Sequence, residues 1–290
     1  MPNIIALAKN FVPLLDEVYQ NSSVTADLTD DSSMVKAGAN ANEISYPQLS
    51  VTGLGDYDRN SGYTKGSVNL EWRTTQFNYD RGTKFSVDTM DNNETVNLAF
   101  GKLGSEFIRT KVAPEADAFT FATLAGKEGI SIATPATYAD ATQFLNALIE
   151  AKNKMDEDEV PEENRILYAT PTLLNGVMAL DTTKSKEVLN SFSVKKSVPQ
   201  SRFYTAIDLL DGKSAGEEAG HFRKAESGKD INFLIVHKPA IIKFDKHSAN
   251  DIINPANNPD SDAYILKYRK YGLVDVYANK VAGIYLSHKA

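Results

Sequence analysis

The sequence contains no cysteine. That absence removes disulfide frameworks, thiolate zinc sites, iron–sulfur ligation and cysteine nucleophiles together. It suits a chain folded in a reducing cytoplasm. No run of eighteen apolar residues occurs, so no segment is expected to cross a bilayer as a helix. No basic stretch precedes the apolar residues at the N-terminus, so a secretory signal is not expected. A basic excess is missing too: 31 Lys and Arg stand against 38 Asp and Glu, a net charge of −7. The footprint of a DNA-gripping domain is therefore not expected, and any nucleic acid nearby would be enclosed rather than gripped.

Catalytic and cofactor motifs are also lacking. Gly212-Lys213-Ser214 ends like a phosphate loop, but the glycine needed five residues earlier is Ile207. Gly53-Leu54-Gly55 starts like a dinucleotide fingerprint, but its last glycine is Asp58. There is no Gly-x-Ser-x-Gly elbow and no His-Glu-x-x-His, and the four histidines are not paired at metal spacing. Asp56, Asp58 and Asn60 alternate like the start of a calcium loop. The sharp-turn glycine comes one position late at Gly62, and the twelfth position is Ser67 instead of Glu. The trio is a weak metal candidate, and Asp and Asn are also ordinary turn residues. No catalytic residue, cofactor or enzymatic activity is expected.

What is present is a soluble composition, 42% hydrophobic and 24% charged over 290 residues. A chain of this length holds its own core without a metal. Ile4, Leu7, Phe11, Leu14, Leu15 and Val18 recur at helical spacing, interrupted by Pro13. Residues 21–42 are small and polar, so an extended connector is expected there. Ile44, Tyr46, Leu49 and Val51 suggest a strand that Pro47 marks as an edge. Val68, Leu70 and Trp72 alternate with Asn69, Glu71 and Arg73, the pattern of a half-exposed strand. Between them, four glycines in the fourteen residues 53–66 make a flexible tip. Arms of this length project roughly 30 Å, and a lone two-stranded hairpin is marginal in water. The projection therefore implies a partner surface.

Val96, Ala99, Phe100, Leu103, Phe107 and Ile108 share one helical face, the strongest such signal in the chain. Pro114, followed by Glu115 and Asp117, reads as a kink or restart, and Gly126 as the stop. Residues 137–155 read as another helix, the acids around 156–163 as a solvated loop, and 165–169 as a strand. Thr170-Pro171 opens a helix to Leu180. Strands are expected over 203–209, 231–236, 241–244, 264–271, 274–278 and 284–286, with a mobile loop at 211–229. Helices and strands mix without regular βαβ alternation, which indicates α+β.

Several segments resemble the tailed-bacteriophage major capsid proteins of the Hong Kong 97 fold, particularly those of phages and prophages of low-GC Gram-positive bacteria. They are Gly53-Leu-Gly-Asp-Tyr-Asp-Arg-Asn-Ser-Gly-Tyr63, Asp80-Arg-Gly82, Phe85-Ser-Val-Asp-Thr-Met-Asp91 and Glu106-Phe-Ile-Arg-Thr-Lys-Val-Ala-Pro-Glu-Ala-Asp117. Lys229-Asp-Ile-Asn-Phe233, Ala263-Tyr-Ile-Leu-Lys-Tyr-Arg269 and Asn279-Lys-Val-Ala-Gly-Ile-Tyr-Leu286 continue the likeness. It is weakest over residues 1–40 and 181–225.

The resemblance implies an N-terminal arm over 1–42, an E-loop and its base over 43–91, and a P-domain spine helix over 92–134. It implies an A-domain over 135–235, P-domain return strands over 236–275 and a closing strand over 276–290. The implied function is a structural subunit of an icosahedral phage head, forming pentamers and hexamers around packaged double-stranded DNA without sequence-specific binding. Implied partners are further copies of the chain, a scaffolding protein and a portal, with no membrane. The implied place is the virion, assembled in the bacterial host cytoplasm. Tyr57, Arg59, Tyr63 and Lys65 at the E-loop tip are the candidate inter-subunit contacts. Some relatives weld subunits by a Lys–Asn bond; Lys65 and Lys84 are this loop's lysines, and no such bond is expected here. The alternatives are an encapsulin-type nanocompartment shell and, more remotely, a soluble calcium- or metal-binding protein or enzyme using Asp56, Asp58 and Asn60.

Overall fold

Residues 165–169 and 231–237 are almost unbroken apolar runs, and a strand of that kind needs cover on both faces. The computed structural model describes residues 23–29, 36–37, 42–90 and 98–290, and in it both runs are covered. They form β6 (Arg165–Ala169) and β10 (Ile231–His237), with every residue of both buried. The two pair antiparallel at the heart of a five-stranded sheet. β13 (Ile284–His288) and β5 (Ser131–Ile132) extend it on one side, and β7 (Val194–Ser197) on the other. On one face, Phe144, Leu148 and Met155 of α3 (Ala141–Glu157) and Val177 of α4 (Pro171–Leu180) pack on Leu167, Phe233 and Ile235. On the other, Phe121 and Leu124 of α2 (Ala113–Ala125) pack on Tyr168, Leu234 and Leu286. Each such side chain contributes about 1.5–3 kcal/mol by leaving water.

The long helix begins with α1 (Leu98–Phe107) and passes through a π turn at Ile108–Val112 directly into α2. Its apolar face, Leu103, Phe107, Ile108 and Val112, rests on Phe85, Leu266 and Tyr268. These belong to β4 (Tyr79–Asp88) and β12 (Ala263–Val276), which with β11 (Ile241–Ile253) form an antiparallel sheet of order β11-β12-β4. Pro114 follows directly on helical Val112 and Ala113, and having no N–H it cannot donate to the turn before it. The irregularity expected at Pro114 therefore falls one turn earlier, in the π turn.

Other departures have local causes. The two strands expected at 264–271 and 274–278 are one, because Gly272 allows the β11 backbone to come close: a Cβ there would lie 3.0 Å from the Phe244 carbonyl oxygen. The strand expected at 241–244 continues to Ile253, since its polar half has an exposed face. α5 (Thr183–Asn190), opened by a Thr182–Ser185 capping box, and β7 gave no signal in the sequence. The strand expected over 203–209 is confined to β8 (Ile207–Leu209), and within the loop expected over 211–229 a short strand, β9 (Phe222–Lys224), pairs with it. The acid run is not simply solvated, because Asp156 and the carbonyls of Val160 and Pro161 hold the buried Arg165 guanidinium. The amphipathic segment 1–20 and the first helical positions at 92–97 lie outside the described residues.

The expected connector is corrected over residues 23–29, which are docked. Asp117, fully buried on α2, accepts from the Ser23 hydroxyl at 2.7 Å and the Val24 and Thr25 amides at 3.1 Å. It also accepts from the Thr25 hydroxyl at 2.7 Å and from Arg202 at 3.0 Å. The Lys243 ammonium donates to the Thr25 carbonyl at 2.9 Å, and Lys196 to the Val24 carbonyl at 2.9 Å. Leu28 then enters the core. Composition signalled an extended stretch because its partners are charges far along the chain. Asp117→Asn should lower unfolding free energy by about 2–4 kcal/mol, the scale for breaking a buried charged network, measured by denaturant titration.

Lys243 also sets a pH dependence. Burial pushes its ammonium from the ordinary 10.5 down to about 8, and Lys270 nearby adds to the shift. Between about pH 8 and 10.5 the unfolded chain holds a proton that the folded chain has released, so stability rises with pH. The gain should be on the order of 1 kcal/mol per pH unit. In denaturant titrations across that window, the wild type should gain on Lys243→Met, and parallel curves would contradict the assignment.

Candidate assembly surfaces

β2 (Glu43–Val51) and β3 (Val68–Gln76) run antiparallel for nine residues each, a span of roughly 30 Å at about 3.3 Å per residue. A two-residue strand, β1 (Lys36–Ala37), pairs with Ile44 and Ser45, and no other described residue pairs with β2 on that edge, where Pro47 lies.

The stem of this hairpin is firmly held. Ile44 and Tyr46 pack into a small core with Ile242 and Leu273, and the Tyr46 ring meets Tyr277 edge-on at 5.0 Å. The Thr75 hydroxyl donates to Asp275 at 2.7 Å, and Lys127 donates to the other oxygen of that carboxylate at 2.6 Å. Burial pushes the Asp275 carboxyl up, but the Lys127 and Thr75 hydrogen bonds outweigh it and keep its pKa below the ordinary value. Asn78 bonds both backbone groups of Val274, and Gln48 donates to Asn279 at 2.6 Å.

Beyond the stem, pairing register separates the two faces. Opposed residues share a face, so Pro47 with Trp72, Leu49 with Leu70 and Val51 with Val68 make an apolar ladder. Gln48 with Glu71 and Ser50 with Asn69 make the opposite face polar. The alternation read from the sequence is present, but the apolar side is not half-buried. Trp72, Leu70, Leu49, Val51 and Val68 are between 48% and 72% exposed. Scattered exposed apolar residues are unremarkable; six in one continuous ladder mark a surface that expects cover.

The tip is ordered by its own polar chemistry. The Asp58 carboxylate accepts from the Asn60 amide at 2.6 Å and the Ser61 amide at 2.9 Å, and these bonds hold its pKa below the usual aspartate value. Asp58 and Gly62 exchange backbone hydrogen bonds, with Gly62 at a positive φ of 78°. The turn brings the rings of Tyr57 and Tyr63 to 4.9 Å, edge to face. Tyr57, Arg59, Tyr63 and Lys65 are all exposed on this small platform, as are Asp56 and Asn60. Of the metal trio, Asp58 thus serves the turn. Among the described residues, no group of three His, Asp or Glu side chains is placed to hold a metal ion.

Sequence reasoning named the tip and missed the stem anchors, because Asp275, Lys127 and Asn279 are remote in the chain and carry no motif. Two further contacts it did not foresee lie on α2: Asp117, described above, and Glu115. The buried Glu115 carboxylate accepts from Arg81 at 2.7 Å and from the Tyr79 hydroxyl at 3.2 Å. Burial pushes it up, but His221 and Arg81 beside it more than offset this, so its pKa is held below the ordinary glutamate value.

No family model and no curated protein matches the chain. Solved structures do. One from Mycobacterium phage Che8 matches with a TM-score of 0.59 at 13% identity, over 91% of this chain and 90% of that one. The mature capsid of bacteriophage PhiM1 matches with a TM-score of 0.59 at 13% identity, over 91% and 84%. A virus-like particle from Pyrococcus furiosus matches with a TM-score of 0.59 at 8% identity, over 99% and 100%. With its spanning helix laid on the β11-β12-β4 sheet, its five-stranded unit and its projecting hairpin, the chain has the α+β fold of the Hong Kong 97-like phage capsid proteins.

Proposed function

We propose that the chain is the shell-forming structural subunit of an icosahedral phage head, assembling through pentamers and hexamers around packaged double-stranded DNA. The observation that carries this reading is the apolar ladder from Pro47 and Trp72 to Val51 and Val68, held in water on an anchored stem. A monomer gains nothing from such a face, whereas a second copy of the chain would cover it. The structural neighbours include phage capsids. The residue ranges of arm, E-loop, P-domain and A-domain given above are part of the proposal, as are the tip contacts at Tyr57, Arg59, Tyr63 and Lys65. A scaffolding protein and a portal would be its partners, with assembly in the host cytoplasm and a final place in the virion. The net charge of −7 suits a wall that encloses DNA and does not grip it.

A nanocompartment shell is the second reading, favoured by one observation: the Pyrococcus virus-like particle matches over the full length of both chains. Shell diameter separates the two.

Electron microscopy of the overexpressed chain, with and without a candidate scaffolding protein, tests the proposal. Closed shells, capsomers or curved sheets are expected; a strictly monomeric chain under both conditions contradicts it. The Leu49→Asp, Leu70→Asp double variant should fold with stability within about 1 kcal/mol of wild type, since both positions are exposed. It should form no shells, which the same micrographs check.

A further inference from the structure

The long helix, strand β4 and the loop that joins β8 to β9 leave a cleft of about 510 Å³ between them. Small-molecule sites usually fall within roughly 300–1,000 Å³. Phe85 of β4 and Phe107 of α1 give the cleft an apolar wall, their rings edge to face at 4.9 Å. The Tyr268 ring of β12 stands edge-on to Phe107 at 5.8 Å and lines the cleft as well. Positive charge arrives from three separate elements: Arg81 from β4, Lys111 from the π turn and Lys213 from the loop.

Hydrogen bonding in the cleft is one-sided. Its carboxylates, Glu115, Asp211 and Glu218, are already supplied with donors. Glu115 accepts from Arg81 at 2.7 Å and from the Tyr79 hydroxyl at 3.2 Å. Asp211 accepts from the amides of Lys213 and Ser214 at 2.7 and 2.8 Å and from the Ser214 hydroxyl. Glu218 accepts from the Gly216 amide at 3.0 Å. The cations are not matched in this way. Among the described residues, nothing accepts from the ammonium of Lys111 or of Lys213, or from one terminal nitrogen of Arg81.

The bonds that Arg81 does make fix it in place. Its Nε holds Glu115, and its other terminal nitrogen donates to the His221 carbonyl at 3.2 Å. His221 presents that carbonyl from a φ of +73°, a conformation kept by a non-glycine residue only where the surroundings enforce it. A guanidinium tied on two sides is positioned before any ligand arrives. Unmatched cationic donors beside aromatic rings define a chemistry. An anion takes up the donors, and a flat apolar body covers the rings. An inorganic ion leaves the rings in water, and a neutral arene leaves the donors unmatched.

We propose that this cleft binds a small aromatic anion, an aryl carboxylate, sulfonate or phosphate, with its ring on Phe85 and Phe107 and its charged group between Lys111 and Lys213. The site does not depend on the shell reading.

Anilinonaphthalene sulfonate, a fluorescent aryl sulfonate, is the probe. It is titrated into the full-length Leu49→Asp, Leu70→Asp variant, so that the apolar ladder does not compete, and one saturable site is expected. Adding Lys111→Ala and Lys213→Ala should weaken binding by about tenfold or more, the scale of losing a charge-assisted hydrogen bond. The unfolding midpoint should not move. Lys84→Ala with Lys267→Ala removes the same charge from the opposite face of the same sheet, where the two lysines pair across strands. That change should leave affinity within about twofold. Phenylnaphthylamine, the same body without the sulfonate, should bind the Lys111→Ala, Lys213→Ala chain as it binds its parent. No saturable site, binding indifferent to Lys111 and Lys213, or an equal loss from both lysine pairs would overturn the proposal. So would an equal loss for the uncharged probe. Should the ladder variant fail to fold, the same lysine pairs are compared in the wild-type chain, where the ladder contributes alike to each.

Discussion

The hairpin is fixed at one end and uncovered at the other, and the organisation of the molecule follows from that conflict. Its stem is held by the Ile44 and Tyr46 packing, by the Thr75–Asp275–Lys127 bonds and by Asn78 against Val274. A projection anchored so firmly cannot fold back to hide its apolar ladder. The free energy of covering Trp72, Leu70, Leu49, Val51 and Val68 is therefore withheld from the monomer and available to association. At about 25 cal/mol per Å² of apolar surface, such a face is a substantial driving force, repeated at every contact of a closed assembly.

The rest of the fold serves as a stiff mount for that projection. Helix α2 is central because it carries two buried carboxylates two residues apart. Asp117 collects residues 23–25 and Arg202, while Glu115 collects Tyr79 and Arg81. Removing one partner from such a site leaves a buried charge without compensation, which is why these contacts are costly to break. Segments far apart in sequence are thereby tied to a single helical turn. The five-stranded sheet, covered on both faces, holds that turn in place.

Much of this was legible from periodicity. Helix α3 and the apolar face of the long helix follow from spacing, because burial of one face leaves a periodic trace; α4 follows from its Thr170-Pro171 start, and β6 and β10 from their short apolar runs. The alternation of the hairpin strand at Val68, Leu70 and Trp72 was visible for the same reason, and the tip from its four glycines. What spacing could not show was whether the Leu70 side of the hairpin is covered, since the same alternation serves a core-facing and a partner-facing strand. Residues 23–29 were misread as free because their binding energy lies in Asp117, Lys196 and Lys243, and composition within the segment carries no hint of them. Gly272 and the polar half of β11 broke the apparent pattern without breaking the strands. The Asp56, Asp58 and Asn60 alternation looked like ligand spacing, and Asp58 is occupied by the turn's own amides.

The chain provides its own reporter for the central claim, because its single tryptophan, Trp72, stands on the apolar ladder at 48% exposure. Its fluorescence should be compared in dissociated subunits and in assembled particles. Burial of the ladder against another copy predicts an emission shifted to shorter wavelength, with acrylamide quenching severalfold weaker in the particle. Identical emission and quenching in both states would mean that the face stays in water after assembly, and would contradict the account.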